Sequence, residues 1–198
     1  MKKHTLILIA ISCICLQGMA QQAKKTGSPV SFRSINLVGM TEGDAGTAFQ
    51  LQTINGAQYK GWFAGLGVGL DYYSTRSVPL FLDLRKDILN RKNTPFVYAN
   101  AGVNYVWQTA SEKNIYVKSS FDSKLYYDLG IGYKAGIGRN NALLLSLGYS
   151  EKDILEKTST SAYWPVTIYT FAPVYVKPSE DRYSYTLRRL SLKFGWEF

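Results

Sequence analysis

The last ten residues of the chain alternate without a break. Leu190, Leu192, Phe194, Trp196 and Phe198 fall on one face of an extended strand, and Arg189, Ser191, Lys193, Gly195 and Glu197 on the other. The same period of two recurs five more times. Ala64, Leu66, Val68 and Leu70 oppose Gly65, Gly67, Gly69 and Asp71. Leu80, Leu82 and Leu84 oppose Phe81, Asp83 and Arg85. Val97, Ala99, Ala101, Val103 and Tyr105 oppose Phe96, Tyr98, Asn100, Gly102 and Asn104. Leu125, Tyr127, Leu129, Ile131 and Tyr133 oppose Tyr126, Asp128, Gly130, Gly132 and Lys134, and Leu143, Leu145, Leu147 and Tyr149 oppose Leu144, Ser146 and Gly148. Two earlier strands, near Arg33 to Met40 and Ala48 to Asn55, alternate less cleanly, which reads as bulges. The count is eight strands.

Strands of nine to eleven residues, apolar on one face only, have the length and pattern that cross a bilayer as part of a closed barrel. The same strands in a soluble lipocalin-like carrier would turn the leucine rows inward and the charges outward. The glycines separate the two readings. Gly65, Gly67 and Gly69 on the charged face would leave bare backbone on a soluble surface, whereas in a narrow lumen they make room for large side chains from opposite walls. Trp62, Tyr72, Tyr105, Trp107, Tyr149 and Trp196 sit at strand ends, as interfacial girdles require. The fold expected is all-β: an eight-stranded antiparallel transmembrane β-barrel with short periplasmic turns and longer extracellular loops. The C-terminal strand sets the polarity. The turns at 57–61, 87–94 and 137–142, the last with Asn140-Asn141 at its tip, share its side, and the segments 41–46, 74–77, 108–121 and 151–181 take the other.

The first twenty residues, MKKHTLILIAISCICLQGMA, combine two lysines, an apolar run and a small-residue cleavage site, the pattern of a secretory signal peptide over 1–20. A short flexible segment over 21–30 then precedes the barrel domain at 31–198. A lipoprotein cut before Cys13 is the competing reading. The apolar run is too short to serve as a retained membrane helix. Cleavage after Ala20 leaves 178 residues and a net charge of +7, and removes both cysteines and the single histidine. A mature chain without Cys or His has no disulfide, no thiolate or His-based nucleophile and no His or Cys metal ligand. No enzyme activity, metal or cofactor is expected. The positive charge forms neither a basic helix nor a stripe, so nucleic acid is not an expected partner.

With this pattern in hand, the chain resembles the small outer-membrane β-barrel proteins of the Bacteroidota, OmpA-like or OmpX-like in their barrel. The residues that carry the resemblance are Ile35-Asn36-Leu37-Val38-Gly39, Gly65-Leu66-Gly67-Val68-Gly69, Pro79 through Arg85, Tyr98-Ala99-Asn100-Ala101-Gly102, Gly130-Ile131-Gly132-Tyr133 and the closing aromatic strand. The resemblance implies residence in the cell outer membrane among its lipids and lipopolysaccharide. It also implies that Phe198 is the signal presented to the outer-membrane assembly machinery. The histidines used by small-barrel acyltransferases, deacylases and proteases are missing from the mature chain.

Two groups of residues are functional candidates. Asp83, Arg85, Asn100, Asp128, Lys134, Arg189, Lys193 and Glu197 face the lumen, where isolated charges are costly and pairing is expected. They read as a plug that fills the interior, with a gated small-solute pore as the alternative. The segment 151–181 holds Tyr163, Trp164, Tyr169, Phe171 and Tyr175, an unusual density of aromatics for an exposed loop. It reads either as the packed end of extended hairpins or as a surface for a protein or glycan partner.

Overall fold

In the computed structural model, the protein is described over residues 30–107, 117–138, 140–160 and 180–198. The expected signal peptide and the segment after it lie outside the described residues, apart from Val30, which opens the first strand. Nine strand segments follow in order: β1 (Val30–Gly43), β2 (Gly46–Tyr59), β3 (Trp62–Asp71), β4 (Ser77–Asp87), β5 (Thr94–Val106), β6 (Val117–Asp122), β7 (Lys124–Ile137), β8 (Asn141–Thr160) and β9 (Glu180–Glu197). Each pairs antiparallel with its neighbour. β9 returns to β1, from Ile35 opposite Glu197 to Gly43 opposite Arg189, and closes the sheet. Closure leaves no open sheet edge around the barrel wall, which is what a lipid solvent demands of backbone N–H and C=O groups.

The barrel has eight staves because β6 and β7 form one interrupted strand. β6 pairs with β8 with Asp122 opposite Leu155, and β7 resumes on β8 with Tyr126 opposite Lys152. Residues 123–125 therefore face only 153–154, a one-residue bulge at the barrel rim. Lys157 anchors β6 through a 2.7 Å contact to Asp122, and this hydrogen bond holds the Asp122 carboxyl below the usual carboxylate range.

The first two strands contain no bulge. Their register runs unbroken from Val30 opposite Tyr59 to Gly43 opposite Gly46. Alternation of residue type breaks there for another reason. Ile35, Leu37 and Ile54 point into the lumen and are buried, while Asn36 points outward and accepts a 2.9 Å hydrogen bond from the Thr53 hydroxyl. An apolar side chain has gone inside and a polar pair outside.

The connections also differ from the expected ones. The turn after β2 is only Lys60-Gly61, both in the left-handed region at φ 45° and 77°, as a two-residue type I′ hairpin requires. β8 starts at Asn141, so that residue belongs to the strand and not to the tip of the turn. On the other side, β1 and β2 leave only Asp44-Ala45 between them. The 108–121 segment contains most of β6, and β8 runs ten residues into the 151–181 segment, whose last two residues open β9. Paired register there reaches Ser159 opposite Glu180.

The two faces separate cleanly in the regular strands. Leu66, Leu82 and Ile131 are more than 60% exposed on the outside, while Asp83, Asn100 and Asp128 are at most 2% exposed on the inside. Exposed rings form two girdles, with Tyr59, Trp62, Tyr133 and Trp196 towards the short-turn end and Tyr72, Tyr105, Trp107 and Tyr149 towards the long-hairpin end. The soluble-carrier arrangement needs the reverse, with apolar rows lining an internal cavity.

Candidate functional site: the filled lumen

From the short-turn end upward, the lumen is a stack of layers. At the mouth Lys134 bridges two carboxylates, with its Nζ 3.0 Å from Asp87 and 3.2 Å from Glu197. Arg33 approaches Glu197 at 3.7 Å and donates to the Gln58 side chain at 3.2 Å. Above this lies an apolar layer made by Ile35, Phe63, Phe96 and Leu144. The void left there is about 10 Å³, too little for more than one water.

The middle of the lumen holds two linked polar groups. Arg85 grips Asp83 with its Nε at 2.9 Å from Oδ1 and its Nη2 at 3.0 Å from Oδ2, and its guanidinium lies over the rings of Phe96 and Tyr98. With its amide nitrogen turned towards Asp83, Asn100 donates to Oδ2 at 2.6 Å. Across from them Lys193 pairs with Asp128, while the Tyr98 hydroxyl donates to Asp128 Oδ1 at 2.9 Å. Tyr126 accepts from Gln52 at 3.1 Å and packs its ring on Phe81 with centroids 5.6 Å apart.

The long-hairpin end is closed by Asp71. Arg189 pairs with it, and Lys152 Nζ lies 3.4 Å away. Lys152 also donates to the backbone oxygen of Tyr73 at 2.6 Å and to the Ser77 hydroxyl at 3.2 Å, and Arg189 donates to Ser150. Both cations lie over the Tyr73 ring. One carboxylate thus serves two fully buried cations.

All eight lumen residues singled out in the sequence face the interior, but they fall into separate layers. Lys134 and Glu197 meet at the mouth, Asp83, Arg85 and Asn100 meet in the middle, Asp128 meets Lys193, and Arg189 turns to Asp71. Asp71 and Lys152 are not among those eight. Lys152 follows the inward row Ser146, Gly148, Ser150, so carrying the period of two past Ser150 finds it. Gly67 and Gly132 do make room for large side chains, but for those of the neighbouring strand and not of the opposite wall. Phe81 covers its pairing partner Gly67, and Phe96 covers Gly132; a Cβ on either glycine would come within 2.3 Å of the ring. Tyr163, Trp164, Tyr169, Phe171 and Tyr175 lie outside the described residues. The backbone of Phe198 is bonded in both directions to Ser34, at 2.8 and 3.0 Å, and so takes part in barrel closure. Among the described residues no three His, Cys, Asp or Glu side chains come together as a metal-holding group.

No family model matches the chain, and no curated protein is significantly similar to it. Among solved structures one shares its fold, and two others align more loosely. Neisserial surface protein A superposes with a TM-score of 0.54 at 12% identity, over 86% of this chain and 96% of that one. The outer membrane protein OprG from Pseudomonas aeruginosa gives 0.46 at 12% identity, over 87% and 98%. The outer membrane protein AlkL gives 0.47 at 11% identity, over 89% and 93%. At such identities the similarity concerns architecture. Closed eight-stranded topology, a hydrocarbon-facing exterior, two aromatic girdles and a charged interior define a small transmembrane β-barrel of the outer-membrane class.

Proposed function

We propose that the protein is a non-catalytic barrel of the cell outer membrane, in which the lumen is a structural plug and the long-hairpin end is an interaction surface. The observation that carries the plug is the apolar layer of Ile35, Phe63, Phe96 and Leu144, set between ion-paired layers with almost no void. A barrel of eight strands is only wide enough for its own side chains. In this reading residues 1–20 are a signal peptide. The short turns and the C-terminal strand face the periplasm, and Phe198 is the mark read by the assembly machinery. The resemblance to OmpA-like and OmpX-like barrels of the Bacteroidota belongs to the same proposal.

Planar-bilayer recording tests the plug. The purified barrel is expected to give no steady, reproducible channels. Regular conductance steps would instead favour a small-solute pore, and Asp83 or Asp128 substitutions would then alter ion selectivity.

Support for the surface role comes from the reach of the last hairpin. β1 leaves β9 at Arg189, whereas β8 and β9 stay paired to Ser159 and Glu180, so residues 180–188 project past the point where β1 ends. Tyr183 and Tyr185 stack there at 6.5 Å, each nearly half exposed, and aromatics are favoured at contact centres. The aromatic segment 161–179 joins these two strands. Replacing 161–179 by an Asn-Gly turn is expected to leave a barrel that still migrates faster unheated than boiled on a gel, but to abolish surface crosslinking to a protein or glycan partner. Unchanged crosslinking would reduce the segment to the end of a hairpin.

A further inference from the structure

We propose that the short-turn mouth of the barrel is a binding site for a phosphate-class anion. An open depression of about 340 Å³ lies there, within the size range of small-ligand sites. Its lining includes four cations, Arg33, Arg91, Lys92 and Lys134, against two carboxylates, Asp87 and Glu197. Both carboxylates are already engaged by Lys134, and Glu197 is approached by Arg33 as well. Gln58 adds a 3.0 Å hydrogen bond to Asp87. Arg91 has no hydrogen bond or ion pair among the described residues, and Lys92 reaches only the Gly138 carbonyl, at 3.4 Å. The mouth therefore carries a surplus of two positive charges in a concave setting, which concentrates field and favours anions.

The floor supplies a second, independent sign. Within the apolar layer below, the small void is lined by Arg85 together with Asp87, Lys134 and Glu197, and the Arg85 Nη1, buried without a partner, is an unmet donor behind that layer. A compact oxyanion with two charges matches the surplus and suits the planar fork of an arginine. The apolar layer beneath stops such an anion from passing on, so the site is a cradle and not an entrance. A free phosphate and the headgroup of a phospholipid share this chemistry.

The barrel purified in uncharged detergent and titrated with inorganic phosphate by calorimetry is expected to bind saturably. The double variant R91Q/K92Q should bind about tenfold more weakly. The double variant R91K/K92R should keep most of the affinity, and K86Q, whose ammonium lies over Trp62, should behave as the unaltered protein. Heat-dependent gel mobility checks that each variant is folded. Phosphatidylglycerol added to the micelles separates the two sources. Competition with phosphate, and lipid retained in native mass spectra by the unaltered protein but lost from R91Q/K92Q, assigns the site to a headgroup. Phosphate binding without such competition assigns it to a free anion. Absence of both saturable phosphate binding and lipid retention, or equal binding by R91Q/K92Q, overturns the proposal.

Discussion

An Asp71→Ala barrel is expected to lose about 3–5 kcal/mol of folding stability, the range for removing one partner of a buried charge pair. Among the described residues Asp71 is the one carboxylate in contact with Arg189 and Lys152, and both cation side chains have no exposure. Its other oxygen accepts the Tyr73 N–H at 2.8 Å. Without it the two cations keep only neutral partners, Ser150 for Arg189 and Tyr73, Thr75 and Ser77 for Lys152. They would then repel each other beside one tyrosine ring, in a place water does not reach. Urea unfolding in lipid vesicles measures the loss. Adding Arg189→Met should return much of it, since the remaining lysine retains three oxygen partners. A single-variant loss under about 1 kcal/mol, the scale of exposed ion pairs, would mean that this end of the lumen is hydrated.

Leu192→Arg should cost about 2–4 kcal/mol in the same assay, the price of a cationic side chain near the bilayer midplane on a barrel's outer face. Leu192 is 54% exposed and stands opposite Met40 on one side and Leu147 on the other, both also exposed. The control on the inner face is Ser191→Ala. Ser191 is fully buried and its hydroxyl makes at most a weak contact to Tyr98, so losing the oxygen should cost little. Residue type alone suggests a different control, an arginine at 191 tolerated by a polar lumen. The packed interior rules that out, because an arginine would have to displace its neighbours. If Leu192→Arg proves as mild as Ser191→Ala, the outer face does not meet hydrocarbon.

The regular strands are legible because each keeps its outer face apolar and carries glycine, polar or charged residues among those of its inner face. From Trp62 onward the leucine and glycine rows assign inside and outside correctly, and Asp83 with Arg85 can be paired from spacing alone, since two residues apart on a strand is the same face. The early strands misled because Ile35, Leu37 and Ile54 are apolar yet point inward. The period of two was intact, but hydrophobicity had ceased to report direction. Lys152 was missed because β8 continues past the apparent end of its apolar row, beyond the membrane-facing stretch, where residue type no longer marks a strand.

What the sequence by itself determined is direction: which residues lie on one face of each strand, and, from the glycine and charge on the opposite face, that the apolar face meets lipid. That information is local, since adjacent side chains on a strand always point to opposite sides. What only the tertiary structure decided is height. Register between strands far apart in the chain sets which inward side chains share a level. It brings Asp71 of β3 to Arg189 of β9, and Asp128 of β7 to Lys193 of β9, and it stacks apolar side chains from β1, β3, β5 and β8 into one blocking layer. No spacing within a strand encodes those meetings, because they depend on the stagger by which the sheet closes on itself.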